Sequence, residues 1–261
     1  MARTSFGLLI VVLALAVTGT LAEEPERLHR GSVAVNHEFP YMVGIMYNNQ
    51  FFCGGALISN QMVLTAAHCV HPLTTDMYGG NNVRIITGSN SYYYGGQSHY
   101  PVKYYYHPRW NRQLSMNTEN TQWNFDIGMI KLAAPIQITA YQRPISLPQG
   151  PPPTHTYAKV TGWGLTEYGS PSTYLRKLDL RLIPTDTCQR YIPYQLHAHH
   201  ICTYRSVGVG TCNGDSGSPL VHNNIIIGVV SGGFPCAKGV PDVFTSVYHM
   251  RNFINHVLSL N

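Results

Sequence analysis

The sequence predicts an all-β fold closed by one C-terminal helix. Three observations carry this expectation: short runs of β-branched and aromatic residues recur along the chain, Gly, Pro and Asn interrupt them at close intervals, and only residues 246–260 space their apolar side chains as a helix does. In chain order the predicted strands are MVGIMY (42–47), NVRIIT (82–87), KYYYH (103–107), AKVTGWG (158–164), NIIIGVV (224–230) and DVFTSV (242–247). YYYGGQS (92–98) reads as a hairpin turn, and the tyrosine runs read as strand surface. At the end, Val247, Met250, Phe253, Ile254, Val257 and Leu258 fall on one helical face, which predicts a helix docked on the body of the protein. This pattern fits a sandwich or a barrel and does not choose between them. PISLPQGPPPTHTY (144–157) is too poor in backbone donors for a sheet interior. It divides the chain into two β units, at about 28–143 and 154–261.

Residues 1–22 stand apart. Arg3 precedes the apolar run FGLLIVVLALAV (6–17), and small residues at Thr20 and Ala22 set up a cleavage site after Ala22, the pattern of a secretory signal. The competing reading is a membrane anchor, but the run is far shorter than the ~20 apolar residues a spanning helix needs. The expected location is extracellular, with no membrane partner. Hydrophobic residues make up 44% of the chain and charged residues 11%, which supports a buried core and excludes disorder. The formal charge is +5 without a basic cluster, so no nucleic-acid partner is expected. Six cysteines in a secreted chain should pair, in any of fifteen connectivities. The alternative, a zinc site, lacks paired C-x-x-C spacing. HAHH (197–200) lies between two cysteines with no acid nearby and reads as a surface loop rather than a metal site. No metal or cofactor is expected.

Three motifs carry chemistry. LTAAHC places His68 beside Cys69, NFDIGMIKL places Asp126 at the mouth of an apolar strand, and GDSGSP places Ser216 in a glycine-bounded turn. A serine hydroxyl is a weak nucleophile at neutral pH. It needs an adjacent base, and the base needs a third group to fix its tautomer and stabilise its charge. Together with EFPYMVGI, CGGALIS, VTGWG (160–164) and VVSGG (229–233), these motifs make the mature chain resemble the trypsin/chymotrypsin family of serine proteases over essentially its whole length. The resemblance implies two antiparallel β-barrels with the active site between them. It implies a catalytic set of His68, Asp126 and Ser216, and an oxyanion hole from the backbone N–H groups of Gly214 and Ser216. Ser231 matches the serine beside the triad, and Gly233 the glycine that pairs with extended substrate. The implied disulfides are Cys53–Cys69, Cys188–Cys202 and Cys212–Cys236.

The same resemblance implies a precursor cut after a basic residue. The matching slot is LHRG (28–31), so residues 23–27 form the activation peptide, and cleavage falls between Arg27 and Leu28. The new Leu28 amine would pair with Asp215. Cleavage after Arg30 is the alternative, and its terminus would be three residues too short to reach. The residue six before Ser216, which floors the primary pocket in the family, is Gly210. An uncharged, roomy floor favours Phe, Tyr, Trp or Leu. VPDVF (240–244) sets Asp242 where the family has a pocket-wall glycine, a combination that resembles insect chymotrypsins and the collagenolytic proteases of crabs and insects. Asp242 either accepts Lys or Arg, broadening specificity, or turns to solvent. Gly232 replaces a usual aromatic, and Trp123 is placed to refill that wall. The expected protein is a monomeric digestive endopeptidase acting on proteins and peptides and matured by a trypsin-like partner. A non-catalytic homologue is the alternative from another class, but such proteins typically lose a triad member and all three are present here.

Overall fold

The structure is a computed structural model, and it describes residues 31–74, 82–111, 123–166, 168–232 and 236–261. The signal and activation segments, Arg27, Leu28 and Gly233 lie outside the described residues. Fourteen strands form among the described residues: β1 (Ser32–Val33), β2 (Met42–Tyr47), β3 (Gln50–Leu57), β4 (Met62–Thr65), β5 (Val83–Thr87), β6 (Gln97–His99), β7 (Pro101–Tyr106), β8 (Gly128–Leu132), β9 (Tyr157–Gly162), β10 (Arg176–Ile183), β11 (His200–Tyr204), β12 (Pro219–His222), β13 (Ile225–Gly232) and β14 (Asp242–Ser246). Each predicted run contributes a strand.

All ladders between these strands are antiparallel. They make two barrels. The first runs β6-β5-β2-β3-β4-β8-β7, and the second runs β10-β11-β14-β13-β12-β9 and closes where β9 pairs with β10. Alternation is clear in β10, where Arg176, Leu178, Leu180 and Leu182 are buried and the residues between them are more exposed. The proline-rich connector links β8 to β9 and forms no strand before Tyr157, although Ile145 N–H donates to Leu57 O of β3 and Ile226 N–H of β13 donates to Ser146 O.

The chain ends cross between barrels. β1 pairs with β10, Ser32 opposite Lys177, so this strand belongs to the second barrel and not to the first unit in which the sequence division placed it. The reason is local: Ala34 N–H donates to Leu175 O, and the buried Asn90 amide donates to both Ala34 O and Val35 O, which fixes the segment beside β10. The C-terminal helix crosses the other way. It spans Arg251–Ser259, shorter than predicted, because Val247 and Met250 are buried in the turn before it. Its Ile254 and Val257 join the core cluster that contains Ile45, Leu64 and Ile130 of the first barrel. Phe253 meets the His107 ring at 5.3 Å, and Tyr105 Oη–H donates to Asn261 Oδ1.

Two short helices were not predicted: α1 (Ala67–Thr74) and α2 (Thr185–Gln189), which makes the C-terminal helix α3. Neither is long enough for apolar periodicity to show, and α1 carries Pro72, which has no N–H to donate to the His68 carbonyl. Burial of Ala67, Cys69, Val70 and Leu73 holds α1 instead. The disulfides are Cys53–Cys69, Cys188–Cys202 and Cys212–Cys236, and the first ties α1 to β3. Closing that loop contributes about 3 kcal/mol in the chain-entropy model. The tyrosine run at 92–94 also departs from expectation. It lies in the β5–β6 hairpin loop, but Tyr92 is core, packed on Phe51 and Trp163, while Tyr93 and Tyr94 are exposed.

Burial predicts the ranking of stability effects. Ile254→Ala should cost about 2–5 kcal/mol, whereas Asp179→Ala, which removes only the exposed pair with Lys159, should cost under about 1 kcal/mol. Urea unfolding of the two variants checks the order.

Candidate active site

His68 is the second residue of α1, so helix and disulfide together fix its backbone. Asp126 lies two residues before β8 and is fully buried. Three donors converge on it. His68 N–H donates to Oδ1 at 2.8 Å, His68 Nδ1 lies 2.7 Å from Oδ2, and Ser231 Oγ–H donates to Oδ2 at 2.6 Å. Burial by itself would push the Asp126 pKa up. The neighbouring His68 charge and these hydrogen bonds outweigh it and hold the carboxyl below its ordinary value. With Nδ1–H bound to the carboxylate, the His68 tautomer leaves Nε2 free to accept a proton.

Ser216 sits in the turn between Cys212 and β12, held by Gly54 N–H donating to its carbonyl across the barrel interface. His68 and Ser216 line one cavity of about 340 Å³, with Trp123, Thr211, Cys212, Asn213, Val230, Ser231, Gly232 and Asp242. No hydrogen bond joins Ser216 to His68 here; such contacts commonly tighten only when substrate binds. Gly214 has φ +94°, a left-handed conformation that a side chain would strain. The N–H groups of Gly214 and Ser216 donate to no acceptor among the described residues. Such a pair is chemically suited to an oxyanion.

The loop bearing Asp126 is clamped by Phe125, His107 and Arg109, which the sequence did not single out, and by histidines of HAHH. Phe125 has φ +58°, a conformation of order 1–3 kcal/mol above the ordinary basins. Its ring is stacked between His107 at 4.8 Å and His199 at 4.6 Å, with the Arg109 guanidinium 4.1 Å from its centroid. His199 Nε2 lies 3.0 Å from Asn124 Oδ1, and His200 Nε2 lies 3.2 Å from Trp123 O. HAHH is therefore not simply a surface loop. His200 opens β11 and is 2% exposed, and burial lowers the pKa of His199 to about 3 and of His200 to about 4. Among the described residues, the one cluster with three metal-ligating side chains is Cys53, His68 and Cys69, and its sulfurs are spent in a disulfide.

The Trypsin family profile matches residues 29–254. The chain belongs to the trypsin family. It is similar to trypsin of Sarcophaga bullata at 33% identity, over 94% of this chain and 96% of that one. Hypodermin-A of Hypoderma lineatum is 30% identical over 92% and 91%, and trypsin-3 of Salmo salar is 31% identical over 95% and 100%. Among solved structures, neuropsin, a serine protease expressed in mouse brain, shares the fold with a TM-score of 0.77 at 24% identity, covering 87% of this chain and 98% of its own. The protein is thus a trypsin-family serine protease, and its chemistry is peptide hydrolysis.

Within this trypsin-family chain, two features of the cavity were only partly foreseen. The Trp123 ring lies against Gly232, where even one added Cβ would collide with it, and meets the His68 ring edge-on at 5.6 Å. Trp123 thus fills the wall that a side chain at 232 would form. A carboxyl group lies where the resemblance implies an uncharged floor. Asp242 is 8% exposed and its carboxylate stands over Gly210, within 2.8 Å of where a Cβ would be. The glycine expected to leave an open floor instead makes room for this carboxylate, and Asp242 is not turned to solvent. Outside the cavity, Ser218 buries a hydroxyl with no partner among the described residues against Gly54.

Asp215, preceding Ser216, is fully buried. Gly164 N–H donates to Oδ1 at 2.9 Å and Cys212 N–H to Oδ2 at 3.0 Å. The carboxylate presses on the Cα atoms of Gly162 and Gly164, so the glycines of VTGWG leave the space it occupies. No cation among the described residues faces it, and burial raises its pKa to about 7 despite both hydrogen bonds.

This shift predicts a pH effect of definite sign. A carboxyl with a raised folded pKa contributes stability below its unfolded value that is lost as pH rises through the folded value. The melting temperature of the full-length chain, minus that of its Asp215→Asn variant, should fall from about pH 4 to about pH 7 and then level off. Reading the difference cancels the buried histidines, whose lowered pKa values act oppositely. Calorimetry across that range checks it.

Proposed function

We propose that this protease is a secreted, monomeric digestive endopeptidase, made as a precursor and matured by a trypsin-like enzyme. The observation that carries the catalytic reading is the hydrogen-bonded line from Ser231 through Asp126 to His68, with His68 and Ser216 facing one cavity. Ser216 Oγ attacks the scissile carbonyl carbon as His68 Nε2 takes the hydroxyl proton. The Gly214 and Ser216 N–H groups receive the developing oxyanion, each such donor being worth roughly 3–4 kcal/mol. His68 then protonates the departing amine, and the C–N bond breaks. Water attacks the acyl-enzyme with His68 again as base, regenerating Ser216. Asp126 orients His68 and stabilises its charge throughout.

The cavity receives the side chain on the carbonyl side of the scissile bond. Val230 on the cavity wall, and the missing side chain at Gly210 beside Asp242, support a chymotrypsin-like preference for Phe, Tyr, Trp or Leu. Burying such a side chain is worth roughly 1.5–3 kcal/mol. Asp242 supports broader use that includes Lys and Arg. Ser231 and Gly233 line the run of extended substrate. Residues 1–22 direct secretion, residues 23–27 are removed, and Leu28 brings its amine to Asp215. That buried carboxylate, without a cation among the described residues, supports the last step.

After trypsin treatment, a fluorophosphonate probe should label the chain. Ser216→Ala should abolish labelling and lower kcat by on the order of 10⁴ or more; labelling that persists in the variant would remove the mechanism. N-terminal sequencing of the active form should read Leu28-His29-Arg30. A start at Gly31 would mean that a different residue fills the Asp215 site.

A further inference from the structure

The Asp242 carboxylate divides its labour between two oxygens. Oδ1 accepts both Thr211 N–H at 3.1 Å and Thr211 Oγ–H at 2.6 Å. Oδ2 accepts no hydrogen bond among the described residues and lies nearest the position that a Cβ on Gly210 would take, and Asp242 lines the cavity together with His68 and Ser216. One oxygen thus fixes the group, and the other is left for whatever enters. The surroundings do not force ionisation. Opposite Asp242 on β11 stands Thr203, Gly232 of β13 lies opposite the neighbouring Val243, and the 210–216 turn presents Asp215, a second carboxyl. His68, at the far side of the cavity, is the other titratable group lining it among the described residues.

We infer that the protonation state of Asp242 selects the residue after which the enzyme cuts: neutral, it admits aromatic and aliphatic side chains; ionised, it draws in lysine and arginine. The inference rests on the reading of this cavity as the primary pocket. A neutral carboxyl makes the floor compatible with an apolar ring and offers Oδ2–H to an acceptor such as a tyrosine hydroxyl. An ionised one costs free energy to keep buried and recovers it when a guanidinium or ammonium arrives. Desolvation, opposed by the Thr211 bonds and reinforced by the Asp215 charge, raises the Asp242 pKa to about 7. The exchange therefore falls near neutral pH. Within a single chain this would confer two cleavage preferences, each dominant on one side of neutrality.

The test compares kcat/KM for amide substrates ending in Arg and in Phe, using full-length chain activated by immobilised trypsin. Ser216→Ala chain carried through the same steps serves as the blank for residual trypsin. Titration of His68 and Asp215 acts on both substrates alike and cancels in the Arg/Phe ratio. That ratio should rise at least about tenfold between about pH 6 and about pH 8, and Asp242→Asn should flatten it. A wild-type ratio that is flat across this range, or Arg cleavage absent at every pH, overturns the inference. If Asp242→Asn shifts the ratio at fixed pH while the wild-type ratio is flat, only the titration fails. If Asp242→Asn leaves the ratio unchanged at every pH, the primary-pocket reading fails as well.

Discussion

Removing a carboxylate from water costs several kcal/mol unless donors replace the lost hydration, and Asp126 meets that condition through two bonds from His68 and one from Ser231. The requirement reaches far along the chain. His68 must come from α1, held by Cys53–Cys69, and Ser231 from β13 of the other barrel. Asp126 itself must be delivered by a loop whose Phe125 is held in a left-handed conformation between two imidazoles and beneath a guanidinium. Satisfying one buried charge thus demands that both barrels be assembled and in register.

Asp215 and Asp242 answer the same problem differently. Each receives two hydrogen bonds, yet neither has a cation among the described residues, and both have pKa values raised to about 7. Two neutral donors do not offset complete desolvation, whereas a charged neighbour together with three donors does for Asp126. The contrast separates a charge installed permanently from charges that await a partner. One partner is the proposed Leu28 amine and the other a basic substrate side chain, so maturation and substrate choice draw on the same physical debt.

The barrels are joined by exchange as well as by contact. β1 leaves the N-terminal half to pair with β10, and α3 returns from the C-terminal half to cover the first core. Between them, Trp163 Nε1–H donates to Asn90 O, and Gly54 N–H donates to the carbonyl of Ser216 itself. Separating the lobes would therefore break a hydrogen bond to the turn that carries Ser216.

Strands β2, β5, β7, β8, β9, β13 and β14, the proline-rich connector, the terminal helix and the three motifs were legible in the sequence, because alternation, turn residues and catalytic residue types are properties of neighbours along the chain. Short helices held by burial and a disulfide left no such trace, nor did Tyr92, whose loop becomes core only when Trp163 closes over it. HAHH reads as a surface loop in the sequence, but β11 turns His200 inward, with Nε2 3.2 Å from Trp123 O. The cavity beside Ser216 shows the limit most clearly. The sequence by itself determined that glycine occupies position 210 and aspartate position 242. Only the tertiary structure decided that the carboxylate stands over the glycine, because that contact joins strand and turn residues 32 positions apart, and the pairing of β11 with β14 helps bring them together.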